Sequence, residues 1–183
     1  MQIICIMGGS KSGKSTVEKY LSKLGYTPSV SYTTRKINTG GHKDEVNGKD
    51  YNFVTREQFN ELVRKDIIIE HEELYGNMYG TPRLIGSTKY VAVVGLNGYK
   101  ALRNIYKGQV LGVMLTTDLE TLKQRFEACT DDFKDSNEAK LRSSVDDKMT
   151  IEMAKEADII IDSTIGVENI ATIILKKVKE IKK

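Results

Sequence analysis

Proline and cysteine are scarce in this chain, with two of each among 183 residues. So few prolines build no proline-rich linker, and no Gly/Ser-rich or low-complexity tract marks a boundary, so one domain is expected. Cys5 in an apolar run and Cys129 in a helical pattern read as small buried hydrophobes, not as a disulfide framework. Nowhere do 18 apolar residues run together, so no transmembrane helix and no membrane role are expected. The N-terminus has no basic segment leading into an apolar one, as a secretory signal would, and a cytoplasmic location is the expectation. Charge of one sign is also in short supply. The 28 Lys+Arg against 25 Asp+Glu leave +3, which is too mild to argue for nucleic acid. The densest basic run, KKVKEIKK, reads as the solvated face of a helix. His42 and His71 stand apart, with no Cys, His or acid at metal-ligand spacing.

What is present is a rhythm of short apolar runs and helical stripes. Gln2 to Met7 has the pattern of a buried parallel strand. Val17, Leu21 and Leu24 follow at helical spacing. PSVSYTTR, β-branched and rich in hydroxyls, predicts one strand ending at Arg35, and YNFVT predicts another. Thr55 is placed to cap a helix running to Arg64, with Glu57 and Gln58 in its first turn. DIIIEHEELYGNMYGTP predicts a hairpin around its GN turn. YVAVVGL, QVLGVMLTT and ADIIID are short enough to be buried strands, and Asp118 is placed to cap a helix. Val167, Ile170, Ala171, Ile174, Val178 and Ile181 form the stripe of a closing helix. Strands and helices alternate at both ends, which predicts an α/β fold with a parallel sheet flanked by helices. Residues 31–81 break the rhythm and suggest a small antiparallel insert at the sheet's edge.

The residues GGSKSGKST, from Gly8 to Thr16, lie between the first strand and the first helix. Gly8, Gly13, Lys14 and Ser15 match G-x-x-x-x-G-K-[ST] in full. The glycines let the backbone wrap phosphates and turn its N–H groups inward. Lys14 offers a charge to the outer phosphates, Ser15 a hydroxyl to Mg2+, and the helix start a partial positive charge. ATP phosphates are therefore expected on Gly8, Gly9, Ser10, Lys11, Ser12, Gly13, Lys14, Ser15 and Thr16.

With these residues in view, SYTTR, GKDYNFVTREQF and IIIEHEELYGNMYGT resemble the acceptor half of guanylate kinases. The resemblance is specific to about Thr81 and continues beyond it as a pattern of elements. It implies a P-loop NTPase-like core (1–30, 88–128 and 157–183), a nucleoside monophosphate-binding insert (31–81) and a lid region (129–156). It implies ATP, Mg2+ and GMP or dGMP as partners, and leaves the oligomeric state open. Ser31 and Thr81 would contact the guanine base, and Glu70 would accept from guanine N1–H and the 2-amino group. Arg35, Tyr51 and Tyr79 would hold the GMP phosphate. Arg125 and Arg142 resemble lid arginines that, with Lys14 and Arg35, would stabilise the transferring phosphoryl group.

The chain departs from that family at four places. Asn38 stands where a second phosphate-binding arginine is usual, in a longer loop. Val93 and Gly95 stand where two strand-end aspartates are usual, and Asp162 or Glu72 are the acids that could substitute. The connection after YGTP is too short for the helix that normally follows, and Cys129 replaces a lid arginine. Two other readings therefore stand beside the kinase. One is a nucleoside monophosphate kinase of altered acceptor preference; the other is a non-catalytic module that binds nucleotide or protein.

Overall fold

The computed structural model describes residues 1–39, 44–127 and 149–181. Its centre is β1 (Gln2–Met7), in which Ile3 to Met7 are fully buried. A strand covered on both faces must be apolar at every position, which is why this run does not alternate. β1 pairs in parallel with β7 (Lys89–Val93) on one side and β8 (Val110–Thr116) on the other. The short β2 (Thr27–Pro28) and β9 (Ile159–Asp162) extend the sheet outward, so its order is β2-β7-β1-β8-β9.

Two helical layers cover it. On one face, Val17 and Leu21 of α1 (Lys14–Lys23) pack with Ile170, Ala171, Ile174 and Val178 of the closing helix α6 (Val167–Ile181). On the other, Leu96, Tyr99 and Leu102 of α3 (Leu96–Ile105) pack with Met153 of α5 (149–156). Each such apolar side chain, once buried, contributes roughly 1.5–3 kcal/mol. α4 (Leu119–Glu127) begins where the Asp118 carboxylate accepts from the Thr121 N–H at 2.8 Å, as the sequence pattern predicts. The sequence pattern did not foresee α3, because Asn97 and Gly98 interrupt its short apolar stripe.

The second sheet has order β4-β3-β6-β5, built from β3 (Tyr32–Thr33), β4 (Asn52–Phe53), β5 (Ile68–Leu74) and β6 (Asn77–Pro82). It is mixed rather than purely antiparallel, because β3 and β4 run parallel. PSVSYTTR is not one strand: its first part joins the parallel sheet as β2 and its middle joins the second sheet as β3. The hairpin forms, with Tyr75 and Gly76 as the two loop residues, both at positive φ (54° and 76°). That is the signature of a primed turn, whose twist suits the flanking strands. α2 (Arg56–Arg64) starts with a full capping box between Thr55 and Gln58 and buries Phe59 against Ile68 and Met78. Residues 83–88 form no helix, matching the shortened connection.

One close approach locks α3 to the sheet. A Cβ added at Gly112 would lie 2.6 Å from the ring of the fully buried Tyr99. The Tyr99 hydroxyl is held by Asp158 and Arg103, so the ring has little room to yield. Gly112→Ala is therefore expected to cost about 1–3 kcal/mol. Urea unfolding followed by circular dichroism should show a lower midpoint with an unchanged slope; an unchanged midpoint would contradict this packing.

Candidate active site

The phosphate loop leaves β1 at its C-terminal end, in the middle of the sheet. Gly8 has φ 142°, and a Cβ there would meet the Leu115 carbonyl oxygen at 2.5 Å. Gly13 has φ 95° and is the N-cap of α1, where no side chain caps the helix. First-turn N–H groups left without a side-chain cap, at the positive end of the helix dipole, suit an anion. The Lys14 ammonium donates to the Gly8 and Gly9 carbonyls at 3.0 and 2.6 Å, so it arches over the loop. Ser12 differs from its neighbours: it is buried beneath the loop, 2% exposed. From α4, Arg125 donates to the Lys11 carbonyl at 3.0 Å and to the Ser163 hydroxyl at 3.1 Å. It lines a cavity of about 410 Å³ with Gly13, Lys14, Ser15 and Thr16. Arg142 lies outside the described residues.

Glu70 and Thr81 are paired across the β5–β6 hairpin, and Glu72 and Tyr79 are the next pair along the same face. The Thr81 hydroxyl donates to Glu70 Oε2 at 3.0 Å. Glu70 Oε1 is buried and has no hydrogen-bond partner among the described residues. The start of α3 closes over this pair, since a Cβ at Gly98 would come within 2.6 Å of the Thr81 hydroxyl. Burial raises the Glu70 carboxyl above its ordinary range; the Thr81 bond works against this, and the nearby Glu72 charge adds to it. Ser31, Tyr51, Glu70, Tyr79 and Thr81 line one cavity of about 190 Å³, together with Gly8, Lys14, Val93 and Gly95. A larger neighbouring cavity of about 780 Å³ shares Lys14, Ser31, Tyr51 and Val93, and adds Ser15 and Arg35.

Arg35 is only 4% exposed, and its guanidinium is engaged by both oxygens of Glu45, at 3.0 and 2.5 Å. It also lies over the rings of Tyr51 and Phe53, each centroid 5.5 Å away. Asn38 explains how Glu45 is held. Its N–H donates to the Glu45 carboxylate at 2.7 Å, and its side-chain oxygen accepts from the Glu45 N–H at 2.9 Å. Asn38, where the resemblance implies an arginine, therefore clamps the loop that delivers Glu45. No spacing rule marks Glu45, ten residues from Arg35, and the sequence reading missed it. Of the acids considered as substitutes at the strand end, Asp162 is used elsewhere. It accepts from the Thr164 N–H and hydroxyl as the cap of the 3₁₀ turn Ser163–Ile165.

A parallel α/β sheet carrying this loop at the end of its central strand places the protein in the phosphate-loop class of nucleotide-binding folds. Within it, the chain belongs to the guanylate kinase family, whose sequence model matches residues 1–163. A guanylate kinase of Lactobacillus delbrueckii subsp. bulgaricus is 36% identical over 136 residues, covering 68% of this chain and 64% of the relative. One from Clostridioides difficile is 34% identical over 131 residues, covering 67% and 62%. A third, from Fusobacterium nucleatum, is 31% identical over 147 residues, covering 76% and 77%. The match thus spans just under two thirds of the first two relatives' own length. The crystal structure of guanylate kinase from Anaplasma phagocytophilum superposes with a TM-score of 0.67 at 25% identity, covering 98% of this chain and 85% of that one.

The larger cavity holds one more group the sequence did not flag. Burial pushes the Glu18 carboxyl up to about 7; Lys19 opposes the shift and Asp50 adds to it. The unfolded chain releases this proton near its ordinary value of about 4.3. The native state therefore keeps a proton that the unfolded state has lost, and stability falls as pH rises from about 4.3 through about 7. Glu18→Gln is expected to match the wild type in stability at about pH 4 and below, to exceed it progressively up to about pH 7, and to keep a constant lead above that. Urea midpoints across that range measure the gap, and a gap that does not change with pH would contradict the shift.

Proposed function

We propose that this protein transfers the γ-phosphoryl group of ATP to GMP, giving ADP and GDP. The observation that carries this reading is the buried Oε1 of Glu70, without a hydrogen-bond partner among the described residues, beside the Thr81-bonded Oε2. A carboxylate is an acceptor only, and guanine offers two donors, N1–H and the 2-amino group, on a single edge. Adenine presents a lone pair at N1 and no 2-amino group, so it would set acceptor against acceptor in a buried place. Such mismatches discriminate strongly, because the unpaired group bears its full desolvation cost. Membership of the guanylate kinase family supports the same base.

ATP phosphates would lie on the loop from Gly8 to Thr16, under the Lys14 ammonium. No cluster of three His, Cys, Asp or Glu that could hold a metal is present among the described residues. The donors for Mg2+ would be the Ser15 hydroxyl and the nucleotide's own phosphates, a set that suits an ion keeping several waters. When bound, the ion neutralises charge on the β- and γ-phosphates. Arg35, Tyr51 and Tyr79 would hold the GMP phosphate, with Glu45 keeping the guanidinium fork aligned beforehand. A phosphate monoester has its second ionisation near pH 6, so its oxygen is a nucleophile at pH 7 without a general base. The protein's part would be positioning and charge: Lys14 and Arg35 would face the reacting oxygens, while Arg125 braces the loop at Lys11.

Glu70→Gln keeps the shape but replaces an acceptor oxygen by a donor. It is expected to lower kcat/KM for GMP by about a hundredfold or more, the worth of one or two hydrogen bonds to a charged group at roughly 1.5–3 kcal/mol each. Thermal stability should be preserved, since a desolvated carboxylate is removed. Steady-state kinetics with GMP varied at saturating ATP read the effect, and a change within twofold would remove Glu70 from base recognition.

A further inference from the structure

Glu72 lies two residues beyond Glu70 on the same face of β5, and its carboxylate fills the space beside Gly95. A Cβ built on Gly95 would meet Glu72 Oε1 at 2.9 Å. The Asn97 amide donates to Glu72 Oε2 at 3.0 Å, fixing the carboxylate at the start of α3. Gly95 is one of the two positions where the sequence lacks an expected strand-end acid. The acid is instead delivered from the facing strand, and glycine at 95 is what makes room for it. Glu72 lines the same cavity as Gly8, Lys14, Glu70, Tyr79 and Thr81.

Its place along the hairpin indicates what it meets. Thr81 stands opposite Glu70 and Tyr79 opposite Glu72; with the first pair assigned to the base and Tyr79 to the phosphate, Glu72 lies one step from the base toward the phosphate. Between a nucleotide's base and its phosphate lies the sugar. Ser15, the hydroxyl suited to a metal, lines the two neighbouring cavities and not this one. A carboxylate has about four lone-pair sites, of which Asn97 takes one, and a vicinal diol supplies two donors to such a group. An acidic side chain accepting from ribose hydroxyls is a recurring solution in nucleotide-binding folds.

We propose that Glu72, held by Asn97, accepts hydrogen bonds from the 2′- and 3′-hydroxyls of the acceptor nucleotide and selects ribonucleotide over deoxyribonucleotide. This rests on the assignment of Glu70 to the guanine base. The acceptor site then reads base and sugar with two carboxylates on one strand face, and one of them compensates for the missing strand-end acid.

The test compares GMP with dGMP, in binding by calorimetry and in turnover, for the wild type and for Glu72→Ala. The wild type is expected to favour GMP by about tenfold or more, the loss that follows when a polar site group is left without its donor. Glu72→Ala should bring the two acceptors within about twofold, by weakening GMP more than dGMP, which has only its 3′-hydroxyl to lose as a partner. Equal affinity for both nucleotides in the wild type would overturn the proposal while leaving the base assignment intact. Equal loss of GMP and dGMP in Glu72→Ala, with an altered Mg2+ requirement, would overturn it in favour of a metal role. Binding of neither nucleotide by the wild type would remove the base assignment and this proposal together.

Discussion

Glu70 is a carboxylate that folding has desolvated and only half repaired. Thr81 satisfies one oxygen, and the other is enclosed without a partner among the described residues. Leaving a charged acceptor in that condition costs on the order of 1–3 kcal/mol or more, so the surroundings have to hold it in place. They do so from three directions. The β5–β6 pairing sets Glu70 opposite Thr81, the capping box of α2 anchors Phe59 beneath the hairpin, and Gly98 lets α3 close over both side chains. Strain kept at one place and compensated by packing elsewhere is a common mark of a functional site.

The phosphate loop and this carboxylate belong to different sheets, and the fold brings them to one cleft. β1 is apolar throughout because it is central, and its central place puts Gly8 at the C-terminal edge where parallel sheets bind ligands. β3 leads the chain away into the second sheet, and β6 returns it through residues 83–88 to β7. Lys14, Ser31, Tyr51 and Val93 are common to the two cavities that result. Arg35 and Glu45 show the same economy, since a nearly buried guanidinium needs a countercharge to remain aligned. Glu45 supplies it, and Asn38 supplies Glu45.

Much of this was legible in the sequence where one residue type has one physical use. The phosphate loop, the Thr55 capping box, the hairpin and the stripe of α6 all announce themselves through glycine, caps and periodicity. The split of PSVSYTTR into β2 and β3 was not legible, because β-branched residues suit either sheet and only tertiary pairing decides. α3 escaped because Asn97 and Gly98 are poor helix formers whose presence answers to Glu72 and Glu70. The Arg35–Glu45 pair escaped as well: its partners are brought together by a loop clamp at Asn38, which local pattern does not reveal. Among the strand-end departures, the loss of an acid at Gly95 is visible in sequence, but its replacement from another strand is visible only in space.

The proposed activity, phosphoryl transfer to a guanine mononucleotide, rests on a half-satisfied carboxylate that shares a cleft with an intact phosphate loop. The most direct measurement is a coupled assay of ADP formation by the wild type with ATP and Mg2+, offering GMP, AMP, CMP and UMP in turn. Turnover with GMP and none above background with the other three is the result this account predicts. Equal turnover with AMP, or no turnover with any acceptor despite ATP binding, would contradict it.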